Sequence, residues 1–278
     1  MNKPNTLRRM AIANVPAMQP SSKKESAEYL KQIDAHLVSL REPHSFEAEQ
    51  YRRLRHILEE LRRPEAGLLV AITSPVAGDG KSLTSMNLAA ALAQDSSARV
   101  LLIDLDIRRQ STTLRQCLAL GETRDPGVLE AVSDPSVKLE QLVRRFPPLN
   151  IEIVLTGKMP LSPYEALKSR RLGEILAEAR RRYDFVIVDA PPVVPVSDCQ
   201  VMAQWLDGFI LVVTAHRTPR AMLGEALDAM DPKKILGLIF NGSDQFSSRY
   251  YDYYSGYGER GTRRKPGRIP RPHWVDDL

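Results

Sequence analysis

The chain has 278 residues, 43% of them hydrophobic and 26% charged, with a formal net charge of +5. That length holds one large α/β domain with arms or two small domains, and the composition is that of a soluble globular protein. The longest apolar runs, FILVVTA (209–215) and GLLVAIT (67–73), fall far short of the roughly 20 residues of a membrane helix, the N-terminus lacks a signal-peptide core, and Cys117 and Cys199 match no metal spacing, so a cytosolic location is expected.

Residues 1–25 are polar and contain three prolines, the pattern of a loose arm. SAEYLKQIDAHLVSL (26–40) spaces Leu30, Ile33, Leu37 and Leu40 as one helix, so 1–45 reads as an N-terminal arm with one helix. FEAEQYRRLRHILEELRR (46–63) predicts a second helix, stopped by Pro64. From residue 67 short β-rich runs alternate with helical ones. The strands are expected at 67–73, 98–105, 150–156, 184–190, 208–215 and 235–241, and the helices at 81–94, 169–183, 197–206 and 218–230. Strands that are apolar on both faces and separated by helices predict an α/β fold, a mostly parallel sheet with helices on both faces. This domain spans 46–245. From Phe246 the pattern dissolves, and 246–278 reads as a flexible segment with a tyrosine cluster and a basic tail. Arginines gather along several helices and in that tail, but no base-reading module is present, so no nucleic-acid partner is expected.

Three motifs carry chemistry. The first strand runs into SPVAGDGKS (74–82) and then a helix. Gly78 and Gly80 let the backbone curl so that its N–H groups face phosphate oxygens, and the helix N-terminus adds its positive end. This assigns Ala77, Gly78, Asp79, Gly80, Lys81, Ser82 and Leu83 to a nucleotide, with Lys81 on the β- and γ-phosphates and Ser82 on Mg²⁺. The usual pattern begins with Gly, where this chain has Pro75. The second strand ends in LLIDLDIRR (101–109), and its Asp104 and Asp106 point the same way. Paired carboxylates at a strand end are costly without a cation, which Mg²⁺ with ATP supplies. The third motif, FVIVDAPPV (185–193), delivers Asp189 to the same sheet edge as a Mg²⁺ ligand through water. Together they predict a three-layer P-loop NTPase fold that hydrolyses ATP or transfers its phosphate.

With these motifs the chain resembles the bacterial protein-tyrosine kinases of capsule and exopolysaccharide synthesis, within the ParA/MinD-like P-loop ATPases. DLDIRR is similar to that family's second Walker motif. The stretch from Gly157 to Asp198 is similar to its Gly-x-Leu-Pro-Pro-x-Pro-x-Glu-Leu-Leu segment with the Walker B strand. EQYRRLRHI (49–57) resembles its Glu-x-Tyr-Arg-x-Leu-Arg-Thr-Asn-Ile motif, with His56 and Ile57 in place of Thr and Asn.

The resemblance implies catalytic roles for Lys81, Asp104, Asp106 and Asp189, and Mg²⁺ held by Ser82, Asp106 and Asp189. Asp104 would orient the attacking tyrosine, and Asn241 would contact adenine, although Gly242 follows where a basic residue is common. Glu49, Arg52 and Arg55 would make contacts in a homo-oligomer, of which a ring is one form. Tyr250, Tyr251, Tyr253, Tyr254 and Tyr257 would be the phosphoacceptors, reached between chains. The implied partners are a separate membrane activator of the polysaccharide co-polymerase type and a phosphotyrosine phosphatase. The implied place is the inner face of the plasma membrane.

Two other readings stay open on the sequence. A ParA/MinD-type ATPase would phosphorylate nothing; its signature lysine is replaced here by Val76. An ATP-binding regulatory subunit would have lost transfer, whereas this chain keeps every catalytic carboxylate. Arg108 and Arg109 lie close to the site in sequence, as charge neutralisers or as surface residues.

Overall fold

The computed structural model describes residues 23–109, 112–121, 125–146, 150–159 and 162–242. The five clustered tyrosines lie outside the described residues. Seven strands form one sheet: β1 (Leu68–Thr73), β2 (Val100–Asp104), β3 (Arg144–Phe146), β4 (Ile151–Val154), β5 (Phe185–Asp189), β6 (Gly208–Thr214) and β7 (Ile235–Asn241). Their spatial order is β3-β4-β2-β5-β1-β6-β7, with every pairing parallel except β3 with β4. The strands that carry the three motifs, β2, β5 and β1, are therefore neighbours at the centre of the sheet. The C-terminal edge of a parallel sheet is where open α/β folds bind ligands.

Alternate residues of the central strands feed two cores, because side chains point to opposite faces. One face packs Leu68, Val70, Ile72, Leu102 and Ile187 against α1 (Lys23–Gln32), α2 (Val38–Arg41), α3 (Phe46–Leu61), α4 (Lys81–Leu92) and α5 (Thr112–Cys117). The other packs Leu69, Ala71, Leu101, Ile103 and Val186 against α6 (Val128–Ser133), α7 (Leu139–Leu142), α8 (Pro163–Lys168), α9 (Arg170–Arg182), α10 (Asp198–Met202) and α11 (Arg220–Asp228). The central helix α4 lies between the sheet and α2 and α3, so Leu88, Ala89, Ala90 and Ala91 are all fully buried. Small alanines let three layers approach closely at this point. A helix buried on every side shows no polar stripe.

Three features differ from the sequence expectations. The segment 26–40 is not one helix: α1 ends at Gln32 and α2 begins at Val38. Asp34 accepts from the His36 amide at 2.8 Å and donates its own N–H to the Cys117 carbonyl at 2.8 Å, which turns the chain out of the helix. Ile33 and Leu37 then enter the core of the α4 face. The short β3 was not foreseen, because Arg-Arg-Phe has no apolar run; Phe146 alone is buried, while Arg145 faces Glu152 of β4. Charged residues suit an edge strand. At the other edge, β7 is covered on one face only, leaving Leu236, Leu238 and Phe240 exposed.

Candidate functional site

The loop after β1 enters α4 through Gly78 and Gly80, both left-handed with φ of 92° and 88°. A side chain there would be strained, and a Cβ on Gly80 would lie 2.2 Å from Asn241 Nδ2. Side chains hold this loop from outside. The Thr218 hydroxyl donates to Asp79 Oδ1 at 2.7 Å, Asn241 Nδ2 donates to the Asp79 carbonyl at 3.2 Å, and Arg217 Nη1 donates to the Gly78 carbonyl at 3.3 Å. Asn241 therefore lies against the loop at the end of β7, and its Oδ1 accepts from the Gly242 amide at 2.9 Å. Ala77 is exposed and Leu83 half-buried.

Beneath the loop, Lys81 forms an ion pair with Asp106 and approaches Asp189 Oδ1 to 4.0 Å. The Asp106 amide donates to Asp104 Oδ1 at 3.1 Å, and the sheet register sets Asp104 opposite Asp189. Asp104, Asp106 and Asp189 are 2%, 5% and 0% exposed, and Lys81 is 3% exposed. Burial alone would depress the Lys81 ammonium, but Asp189 and Asp106 outweigh it and raise the pKa. Burial pushes the Asp189 carboxyl up, against the pull of Lys81 and of hydrogen bonds from Ser82 and Ser85.

Three buried carboxylates thus face one ammonium, an imbalance that a bound cation would relieve. Asp189 Oδ2 is buried with no hydrogen-bond partner, and the Ser82 hydroxyl lies beside the same carboxylate. This donor set fits Mg²⁺, which keeps several waters and takes one or two protein oxygens plus phosphates. The described residues hold no cluster of three His, Cys, Asp or Glu placed to bind a metal directly.

The structure brings Lys81, Ser82, Asp104, Asp106 and Asp189 to one point with the loop and Asn241. It places Glu49, Arg52 and Arg55 elsewhere, on α3. Arg52 pairs with Glu49 and donates to the Pro43 carbonyl; Arg55 pairs with Glu59 and donates to the Ala91 carbonyl at 3.1 Å. Ala91 is near the far end of α4, about 15 Å along the helix from Lys81.

Two groups escaped the sequence reading. Thr218 and Arg217, in the turn after β6, reach the loop through a fold in which His216 takes φ 61°. Asp198, fully buried at the start of α10, binds Arg108 through two hydrogen bonds. An aspartate at a helix start reads as a cap, so nothing in the pattern marked it.

A phosphate loop at a strand-to-helix turn, with a lysine among strand-end carboxylates, defines a P-loop nucleotide-handling domain. Comparison with known proteins narrows the class. An AAA domain family model matches residues 68–224. Tyrosine-protein kinase YwqD of Bacillus subtilis is 33% identical over 224 residues, covering 80% of this chain and 92% of YwqD. EpsB of Ralstonia solanacearum is 35% identical over 233 residues; the match covers 82% of this chain but only 29% of EpsB. The kinase domain of Escherichia coli tyrosine kinase ETK superposes with a TM-score of 0.67 at 26% identity, covering 76% of this chain and 83% of that domain. The chain belongs to the bacterial tyrosine-protein kinases built on the P-loop ATPase fold.

Proposed function

We propose that this protein is an ATP-dependent tyrosine autokinase that phosphorylates its C-terminal cluster, Tyr250, Tyr251, Tyr253, Tyr254 and Tyr257, between subunits, and so regulates polysaccharide polymerisation and export. The observation that supports it best is the meeting of Lys81, Asp104, Asp106 and Asp189 at the ends of three adjacent strands. The loop amides and Lys81 bind the phosphates of ATP. Ser82, Asp106 and Asp189 hold Mg²⁺, which offsets phosphate charge when bound. Asp104 orients the phenol and takes its proton late. A phenol of pKa about 10 is not deprotonated by a carboxylate, but phosphoryl transfer has a loose transition state that asks little of the base. Burial does the rest: water is excluded and each charge acts through a low dielectric.

Glu49, Arg52 and Arg55 serve the oligomer in this reading. Their present partners lie within the chain, so assembly exchanges those bonds for others across the contact. No helix among the described residues is long and apolar enough to cross a membrane. A separate membrane activator of the co-polymerase type would bring the chain to the inner face of the plasma membrane, and a phosphotyrosine phosphatase would reset it.

The test is incubation of the purified chain with Mg²⁺ and ATP, followed by mapping of phosphate by mass spectrometry. Phosphotyrosine within 250–257, lost in Lys81→Met, is the expected result. ATP turnover without phosphotyrosine, with or without an added membrane activator, would favour a ParA/MinD-type ATPase or a regulatory subunit instead.

A further inference from the structure

Beside the phosphate site lies an ion pair that the functional reading leaves unused. Arg108 sits in the 3-10 turn Ile107–Arg109 after β2, two positions beyond Asp106. Its Nε donates to Asp198 Oδ2 at 2.7 Å and its Nη2 to Asp198 Oδ1 at 2.8 Å. The Asp198 side chain is 0% exposed and that of Arg108 43% exposed. Two parallel bonds to a buried carboxylate fix the plane of the guanidinium as well as its position. Asp198 begins α10, which the chain reaches directly from the loop after β5 and Asp189. The pair therefore ties together the two segments that carry Asp106 and Asp189. It also leaves the outer edge of the guanidinium open, close enough to Asp106 for that charge to act on it.

We propose that Asp198 is a positioning residue that holds Arg108 as a fixed positive charge for the phosphoryl group in transfer. The inference rests on the reading of the site as a phosphoryl-transfer centre, and it holds for a tyrosine or a water acceptor. In the step, the bond from the γ-phosphorus to the ADP oxygen breaks and a bond to the acceptor oxygen forms. The acceptor's proton passes to Asp104. Negative charge spreads over the three equatorial oxygens meanwhile. A positive group held rigidly stabilises that charge without having to reorganise. A lysine at 108 would keep the charge and lose the fork.

The experiment uses the full chain with Mg²⁺ and ATP, following ADP release and phosphotyrosine separately. Arg108→Lys is expected to lower the turnover rate at least about a hundredfold, the lower range for one lost transition-state donor, with KM for ATP nearly unchanged. Arg108→Ala is expected to recover activity on adding millimolar guanidinium, which docks on the vacated Asp198 carboxylate. The double variant Arg108→Ala/Asp198→Asn is expected not to recover. The first two variants keep Asp198, so misfolding of an Asp198 variant does not decide the result. Wild-type turnover in Arg108→Lys, a rise in KM alone, or rescue that persists without the Asp198 carboxylate would overturn the proposal. ADP release without phosphotyrosine in the wild type refutes the kinase reading and leaves the Arg108 effect measurable on ADP. Wild-type protein that releases no ADP refutes both.

Discussion

Replacing Asp189 with Asn should stabilise the nucleotide-free protein and remove its response to Mg²⁺ and ATP. Asp189 is fully buried, 4.0 Å from Lys81 Nζ and opposite Asp104 in the sheet register. At an effective dielectric near 20, the lost Lys81 attraction is about 4 kcal/mol. The variant also relieves the repulsion from Asp106, and it no longer buries an ion, which is the largest influence on this group. Burial outweighs the Lys81 attraction, so the balance favours the variant. For a domain of this size each kcal/mol of that balance raises the melting temperature by roughly 2–4 °C.

The pH dependence follows from the same group. Burial raises the folded pKa of Asp189, so the folded state binds its proton more tightly than the unfolded chain does. The stability this gives is present below the unfolded value of about 3.9 and is lost as pH rises through the folded value. The variant's advantage should grow as pH rises through that folded value and shrink as pH falls toward 4. With Mg²⁺ and ATP at about a hundred times Kd, the wild type should gain about 2.7 kcal/mol, and the variant little. Melting curves with and without Mg²⁺ and ATP at several pH values test all three effects. A nucleotide-free variant that melts below wild type at pH 8, or that keeps the full Mg²⁺–ATP shift, would refute the reasoning.

Thr218→Val leaves the Asp79 carboxylate, whose Oδ2 is already unpartnered, without its hydroxyl donor; a loss of about 1–3 kcal/mol and a raised KM for ATP are expected, from melting and steady-state kinetics. Asp184→Ala removes a carboxylate that is 15% exposed and accepts from the Arg99 amide, Nε and Nη2 and from Arg62, so urea titration should show a loss of about 1.5–3 kcal/mol. Burial pushes the Asp184 carboxyl up, but the Arg99 hydrogen bonds and charge outweigh it and hold the pKa low. Its stability is therefore present above about pH 3.9 and lost as pH falls through the lowered folded value, where the two curves should converge. Leu58→Ala, at a fully buried position of α3, should cost about 2–5 kcal/mol by the same titration; a change under 1 kcal/mol would mean that α3 is not held on α4 as described.

The central strands were legible because they are buried on both faces, and short continuous apolar runs rich in β-branched residues, such as LLVAIT and FVIVD, suit the inside of a parallel sheet. The phosphate loop was legible because its glycines, lysine and serine stand at a fixed spacing. Adjacency was not. That β5 lies between β1 and β2, setting Asp189 opposite Asp104, is a property of sheet order, which no local pattern encodes. The same holds for Thr218 on Asp79 and for Asp198 on Arg108, contacts made across more than eighty residues. The break in the first helix was hidden for the opposite reason: Ile33 and Leu37 keep helical spacing and are both buried, yet Asp34 turns the backbone between them. The motif on α3 shows the limit of periodicity in another way. Arg52 and Arg55 look free in sequence, but in the fold each is tied to a glutamate and a carbonyl.

Accessibility decides which tyrosines can accept a phosphate. The Tyr29 hydroxyl donates to the Leu118 carbonyl at 2.6 Å, and burial pushes its pKa up to about 12. Tyr183 is 4% exposed and donates to Glu152; burial and that carboxylate raise it further above the usual phenol. Burial likewise raises Tyr51, despite hydrogen bonds with Thr84 and Asn87. In-line transfer needs the phenol oxygen within about 3–3.5 Å of the phosphorus, which none of these three can offer without unfolding its surroundings. Tyr164, 39% exposed on α8, is the accessible tyrosine among the described residues. Its helix is anchored by the buried Ala166 and Leu167, which limits how far the ring can move. If the proposed function holds, changing the five clustered tyrosines to Phe should remove most phosphotyrosine, and Tyr164→Phe should remove little. Phosphate on Tyr29, Tyr51 or Tyr183 of the native protein would contradict the burial argument, and a signal that survives loss of the cluster and vanishes with Tyr164 would move the acceptor onto the folded domain.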